Sequence, residues 1–141
     1  MKAIRSLLLV FGLMLFGAVC AADGPVKVGY HLSEGLAQAT RAMSNIRNHL
    51  EADPTARMVV VTHGSGIDFL LEDAMDAEGQ SCAGLTGELG NRGVQFRVCN
   101  NTLVTRGIAR DKVVLEATVV PSGVAEMARL QAREGYVYLR P

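Results

Sequence analysis

Met58-Val59-Val60-Val61 is a continuous apolar run near the middle of the chain, and His63-Gly64-Ser65-Gly66 ends it. A strand that is apolar at every position, rather than at alternate positions, is typical of a parallel sheet covered on both faces. Parallel strands are joined by crossover connections that usually contain a helix. The run therefore predicts an α/β protein in which this strand lies between two layers of helices.

The sequence on either side of this run alternates in the expected way. Four further strand candidates occupy residues 26–30, 94–98, 115–120 and 136–139. Strands that alternate with helical patterns predict βαβ units and a parallel sheet. The chain therefore reads as one α/β domain with five candidate strands.

Three longer helices are predicted from apolar residues at helical spacing. Residues 36–50 form the first, with Ser33 as its cap and Glu34 in its first turn. A second is expected over 67–75. The last begins after Ser122, again a good cap, and Gly135 closes it.

Two shorter helices are also expected. Residues 81–91 contain three glycines, which weaken that helix. Residues 100–107 form the other, with Asn100 or Asn101 as its cap.

Residues 1–22 are predicted to be a secretory signal peptide. Lys2 and Arg5 precede an apolar stretch from Leu7 to Val19, and small residues follow at Cys20-Ala21-Ala22. An uncleaved anchor or a lipoprotein attached through Cys20 is the alternative. Cleavage predicts a periplasmic protein in which residues 23–141 form a single domain without a further membrane segment.

Composition excludes several classes of function. The 141 residues are 49% apolar and carry no net charge. One domain fits this length, and the apolar content is too high for a disordered chain. Without a basic excess we expect no nucleic-acid partner. Loss of Lys2 and Arg5 with the leader makes the remaining domain mildly acidic.

The predicted fold collects polar residues at one edge. Ligands of open parallel sheets bind beyond the carboxyl ends of the strands. The residues that follow the first four strands are His31 and Ser33, His63 and Gly64, Cys99-Asn100-Asn101, and Pro121-Ser122-Gly123. We therefore expect the binding site among them.

Cys99 has the strongest chemical case on this edge. It follows a strand and opens a helix, where unpaired backbone N–H groups and the helix dipole stabilise a thiolate. A thiolate is a nucleophile and can carry sulfur as a persulfide. The alternatives are a buried structural thiol or half of a disulfide with Cys82, the ordinary expectation for two cysteines in an exported protein.

The histidines are less specific. His31 and His63 can serve as acid–base groups or pair with a Cys99 thiolate, but they can equally satisfy backbone groups at strand ends. A three-ligand metal site with Cys99 is a weaker reading. No cluster has recognised ligand spacing and no dinucleotide or phosphate-binding motif occurs, so we expect neither metal nor cofactor. Gly64-Ser65-Gly66 alone can cradle an anion.

Several short motifs resemble the DsrE/DsrF-like family in order and spacing. They are His63-Gly64-x-Gly66-Ile67, Gly93-Val94-x-Phe96-x-Val98-Cys99-Asn100-Asn101-Thr102-Leu103, Val120-Pro121-Ser122-Gly123-Val124-Ala125-Glu126, Leu130-Gln131 and Gly135-Tyr136-x-Tyr138-Leu139. The resemblance covers about Val26 to Pro141. It implies a three-layer α/β/α fold with a five-stranded, mainly parallel sheet.

The resemblance also implies homo-oligomers, often trimers or hexamers, and a role in sulfur oxidation or sulfur relay. Characterised relatives carry persulfide sulfur on a cysteine near the end of the third strand, the place that Cys99 occupies. The best-understood sulfur relays are cytoplasmic, whereas this chain has an export leader. Cys82 lies outside the pattern, and a core position, a disulfide and a resolving role stay open for it.

Two functions are therefore predicted. One is a periplasmic sulfur-handling protein in which Cys99 exchanges sulfur with a donor or acceptor protein and His31, His63, Gly64, Asn100, Asn101, Ser122 and Gly123 line the site. The other is a non-catalytic oligomeric module that binds a small anion or a partner protein at the same edge.

Overall fold

The computed structural model describes residues 24–141, so the signal peptide predicted for residues 1–22 lies outside the described residues. Five strands form one sheet: β1 (Lys27–Leu32), β2 (Arg57–Thr62), β3 (Gln95–Cys99), β4 (Ala117–Val120) and β5 (Val137–Leu139). Their order is β4-β3-β2-β1-β5, and every pairing is parallel. The predicted fold class is confirmed.

Strand β2 occupies the centre of the sheet. Its residues from Met58 to Thr62 are all buried, between β1 on one side and β3 on the other. The continuous apolar run follows from this position, because both faces of the central strand are covered.

Helices cover the two faces of the sheet unequally. Helices α1 (Leu36–Ala52) and α2 (Cys82–Asn91) share a large core with one face, which includes Tyr30 and Phe96. Helix α4 (Gly123–Glu134) covers the other face through a small cluster of Val59, Val61, Met127 and Leu130. The arrangement is a three-layer α/β/α domain, and no helix of the described residues is long and apolar enough to cross a membrane.

The start of helix α1 differs from the prediction. Gly35 is the N-cap, and the first turn holds no acidic residue, so the roles predicted for Ser33 and Glu34 were wrong. The Oε1 atom of Gln38 accepts hydrogen bonds from the N–H groups of both residues, at 2.9 Å each. Because a buried amide already satisfies these groups, Ser33 and Glu34 lie outside the helix, which begins at Leu36, the first residue of the predicted apolar pattern.

The helix predicted over residues 67–75 was also wrong in type and extent. A 3-10 helix spans Gly64–Leu70, and the chain then extends, with Leu71 bridged to Val113. The N–H of Val114 donates to the carbonyl of Leu70 at 2.9 Å. Ile67 and Leu70 are buried in the 3-10 helix, whereas Met75 is 53% exposed, so the apolar spacing here does not mark one buried helix face.

The ends of helices α2 and α4 follow the sequence. Ser81 and Ser122 cap helices α2 and α4, since their hydroxyls accept from the N–H groups of Gly84 and Ala125. Gly135 ends α4 in the left-handed conformation, with φ of 73°. The weakly predicted helix over residues 81–91 is thus present as α2.

The 3-10 helix depends on a glycine at position 66. A Cβ atom there would lie 2.2 Å from the carbonyl oxygen of Leu32. We expect Gly66→Ala to lower the free energy of unfolding by about 3 kcal/mol or more, because backbone must move to relieve the clash. Urea unfolding measures this change.

Gly84→Ala is the matched control. Its new Cβ would meet only the Cβ of Ser81, at 4.0 Å, within helix α2. Alanine should therefore raise the free energy of unfolding by about 0.5–1 kcal/mol. Equal effects of the two substitutions would contradict the close approach of Gly66 to β1.

Candidate functional site

Four neighbouring strands bring polar side chains to one edge of the sheet. In spatial order, β3 ends at Cys99, β2 is followed by His63, β1 carries His31, and β5 carries Tyr138. The predicted edge residues His31, His63 and Cys99 therefore lie on adjacent strands. Tyr138 was missed, because only the pairing of Gly29 with Tyr138 places it on the same face as His31.

Cys99 is the N-cap residue of helix α3 (Asn100–Thr105), so the prediction of Asn100 or Asn101 as the cap was wrong. The Cys99 residue is 4% exposed. Burial alone would raise the pKa of its thiol. Hydrogen bonds from the N–H of Gly123, from the hydroxyl and N–H of Thr102, and from the N–H of Asn101 outweigh burial and hold this pKa below its ordinary value.

Gly123 brings the start of helix α4 against the thiol. A Cβ on this residue would lie 2.9 Å from the carbonyl oxygen of Thr62, 3.2 Å from the Cβ of Cys99 and 3.3 Å from the Cβ of His63. The position therefore accepts only glycine without displacing the helix. The first turn of α4 reaches Cys99 for this reason.

A second contact links the loop after β2 to the thiol. The N–H of Gly64 donates to the hydroxyl oxygen of Thr102 at 3.0 Å, which leaves the hydroxyl proton for Cys99. Gly64 has a φ of +55°, a conformation that favours glycine. The predicted residue Gly64 thus orients Thr102, a site residue that the sequence motifs contained but did not single out.

His31 and His63 lie against each other at the same edge of the sheet as Cys99. Their ring centroids are 4.8 Å apart. The Nδ1 atom of His31 and the phenol oxygen of Tyr138 form a hydrogen bond of 2.8 Å. Burial, then His63 and the charge of Arg140, lower the pKa of His31.

Other predicted residues have supporting roles. The side-chain oxygen of Asn100 accepts from the guanidinium of Arg110, at 3.1 Å from Nε, so this side chain is engaged away from the thiol. The N–H of Asn101 donates to the carbonyl of Pro121 at 3.3 Å and also faces the thiol. Ser122 contributes as the cap of α4 rather than as a direct contact.

Cys82 is separated from Cys99 by the sheet. It lies in the core with α1 and α2, whereas Cys99 contacts α4, and both cysteines are free. Cys82 and Cys99 therefore form no disulfide with each other. Of the roles left open for Cys82, the structure shows the core position. Burial and the nearby Asp76 raise the pKa of the Cys82 thiol.

Arg97 and Arg106 lie near Cys99 in sequence, but each pairs with a carboxylate rather than with the thiol. Arg97 forms an ion pair with Glu126 of α4, and Arg106 pairs with Asp68. Among residues 24–141, no three histidine, cysteine or carboxylate side chains form a group that could hold a metal ion. His31, His63 and Cys99 are thus not a three-ligand set, and the hydrogen bonds that lower the pKa of Cys99 come from backbone N–H groups and the Thr102 hydroxyl rather than from side-chain cations.

Fold and site together define an α/β protein with a cysteine at the carboxyl edge of a parallel sheet. The family model for the DsrE/DsrF-like family matches residues 28–141. The chain belongs to the DsrE/DsrF-like family.

Two solved structures extend this result. The chain is 32% identical to MTH1491 of Methanobacterium thermoautotrophicum, a protein of unknown function, with a TM-score of 0.73 over 82% of this chain and 99% of that one. The ychN protein of E. coli is 12% identical, with a TM-score of 0.65 over 84% and 99% of the two chains, and shares the fold. No curated protein matches the chain.

The hydrogen bond from the Thr102 hydroxyl to the Cys99 thiol can be tested by substitution. Thr102→Val keeps the side-chain shape but removes the hydrogen bond to the thiolate, so the pKa of Cys99 should rise. At pH 7, alkylation by iodoacetamide should slow several-fold, because the thiolate is the reacting form. The rate measured against pH gives the titration midpoint.

Thr105→Val in the same helix is the control, because Thr105 is exposed and does not contact the thiol. It should leave the alkylation profile unchanged. An unchanged profile for Thr102→Val would mean that the hydroxyl does not stabilise the thiolate.

Proposed function

We propose that this chain is an exported sulfur carrier in which Cys99 accepts sulfane sulfur as a persulfide and passes it to an acceptor. The supporting observation is the set of backbone and hydroxyl donors that lowers the pKa of Cys99. A thiolate is the form that attacks sulfane sulfur. Membership of a family whose characterised members handle sulfur favours this use of the thiolate.

The chemistry needs no cofactor. The Cys99 thiolate attacks the outer sulfur of a donor persulfide, a new sulfur–sulfur bond forms, and the donor's own bond breaks with its electron pair. The products of the step are the Cys99 persulfide and the donor thiolate. An acceptor thiolate then removes the outer sulfur from Cys99 in the same manner.

The position of Cys82 suits this role in an oxidising compartment. A nearby second thiol would attack the Cys99 persulfide and discharge it as a disulfide. Cys82 lies in the core on the opposite face of the sheet, in α2. Within residues 24–141 the persulfide therefore has no second thiol within reach, and its sulfur passes to an acceptor from outside the chain.

Mass spectrometry tests the proposal. We expect the purified protein to gain the mass of one sulfur atom when it is incubated with inorganic polysulfide. Cys99→Ser should abolish this gain, whereas Cys82→Ser should retain it because the Cys82 thiol is buried with a raised pKa. No adduct on the wild-type protein, or an adduct that persists in Cys99→Ser, would refute the carrier role.

We also propose that the protein is a periplasmic homo-oligomer, a trimer or hexamer. Exposed apolar side chains support self-association, among them Leu115 at 98%, Val104 at 71% and Val124 at 61% exposed. Light scattering should give a mass of three or six chains.

Protein purified from a periplasmic fraction should begin after Ala21 or Ala22, as N-terminal sequencing would show.

One observation favours a second candidate function. Cys99 is only 4% exposed, which suits a non-catalytic module that binds a small anion or a partner at this edge. Such a module predicts slow alkylation with the pH dependence of an ordinary thiol, whose pKa is about 8.5. Rapid alkylation well below that pH would exclude the module and support the carrier.

A further inference from the structure

His31 carries a nitrogen atom without a partner in the protein. Its Nε2 is buried and makes no hydrogen bond, the only buried side-chain nitrogen or oxygen of residues 24–141 in this condition. Leaving a buried polar group unpaired costs about 1–3 kcal/mol. Such an atom is therefore best explained by a partner that comes from outside the chain.

The groups around the His31 ring determine whether Nε2 donates or accepts a hydrogen bond. The phenol of Tyr138 lies 2.8 Å from Nδ1, and when it donates there, the neutral imidazole carries its proton on Nε2. The His63 ring lies against the His31 ring, tilted by 33°, with 4.8 Å between centroids. Burial, then His63 and the charge of Arg140, lower the pKa of His31, which favours the neutral imidazole.

The position of His31 relative to Cys99 suits a small ligand. Both side chains lie on the face of the sheet that α4 covers, with β2 between their strands. Two strand spacings make about 10 Å. The side chain of His63, which follows β2, lies on the same face, so a ligand that spans Nε2 and the sulfur lies beside His63.

We propose that the Nε2–H of His31 donates a hydrogen bond to the anionic sulfur that leaves a small sulfane-sulfur donor when Cys99 attacks. This inference rests on the proposed function and names the contact that recognises the donor. Tyr138 is a positioning residue, because it acts by fixing the proton of His31 on Nε2.

The step is balanced without a further reactant. The Cys99 thiolate is oxidised to the persulfide level, and the donor sulfur is reduced to a thiolate that takes the electron pair of the broken bond. No proton moves in this step. The hydrogen bond from Nε2–H stabilises the negative charge as it develops, as donors in an oxyanion hole do.

Paired substitutions of His31 test the contact. Glutamine places an amide N–H close to the position of Nε2, whereas asparagine places one close to Nδ1. With a dialkyl disulfide as the probe, whose leaving thiolate is basic, His31→Asn should slow the reaction of Cys99 about ten-fold or more. His31→Gln should retain most of the rate, and Tyr138→Phe should lose several-fold.

Two further probes separate this role from a structural one. Iodoacetamide releases no thiolate, and an aryl disulfide releases an acidic one that needs little stabilisation. His31→Asn should therefore leave both rates nearly unchanged. His49→Gln, which alters a histidine bonded to Tyr30, should change none of the three rates.

The outcomes are distinguishable. If wild-type Cys99 takes up sulfur from polysulfide but His31→Asn and His31→Gln react alike with the dialkyl disulfide, the carrier function stands and the His31 contact is refuted. Equal losses with all three probes would also refute it, since they would show a structural effect. If wild-type Cys99 takes up no sulfur, the proposed function itself fails.

Discussion

The close approach of helix α4 to the ends of β2 and β3 is the constraint on which the site depends. At Gly123 a side chain would strike the carbonyl of Thr62 and the Cβ atoms of Cys99 and His63. With no side chain there, the N–H of Gly123 reaches the thiol, and the carbonyl of Pro121 accepts from Asn101 at the start of α3. Two helix starts therefore meet at one sulfur atom.

The unequal covering of the sheet explains where polar chemistry is accommodated. The face under α1 and α2 holds the large core, and the face under α4 holds a small apolar cluster. The second face therefore has room for the Arg97–Glu126 ion pair, for His31 and for Cys99. Most of the apolar burial that stabilises the domain lies away from the site.

The two cysteines show how surroundings set the chemistry of one residue type. Both are buried, yet the pKa of Cys82 is raised by burial and Asp76, whereas that of Cys99 is lowered by hydrogen bonds. The pKa of Cys99 is lowered by fixed dipoles rather than by a lysine or arginine. Such dipoles need no reorganisation when the sulfur gains or loses a partner.

Sequence alone determined the parallel α/β fold, the burial of β2 on both faces, the caps at Ser122 and Gly135, and the edge that carries His31, His63 and Cys99. These follow from local patterns of burial and capping. Only the tertiary structure decided the capping of α1 at Gly35, the 3-10 helix at Gly64–Leu70, the separation of Cys82 from Cys99 and the contact of Tyr138 with His31. The last three depend on groups far apart in the chain, such as Gly66 with Leu32 or Tyr138 with His31, and the first depends on the side chain of Gln38; no apolar spacing records these contacts.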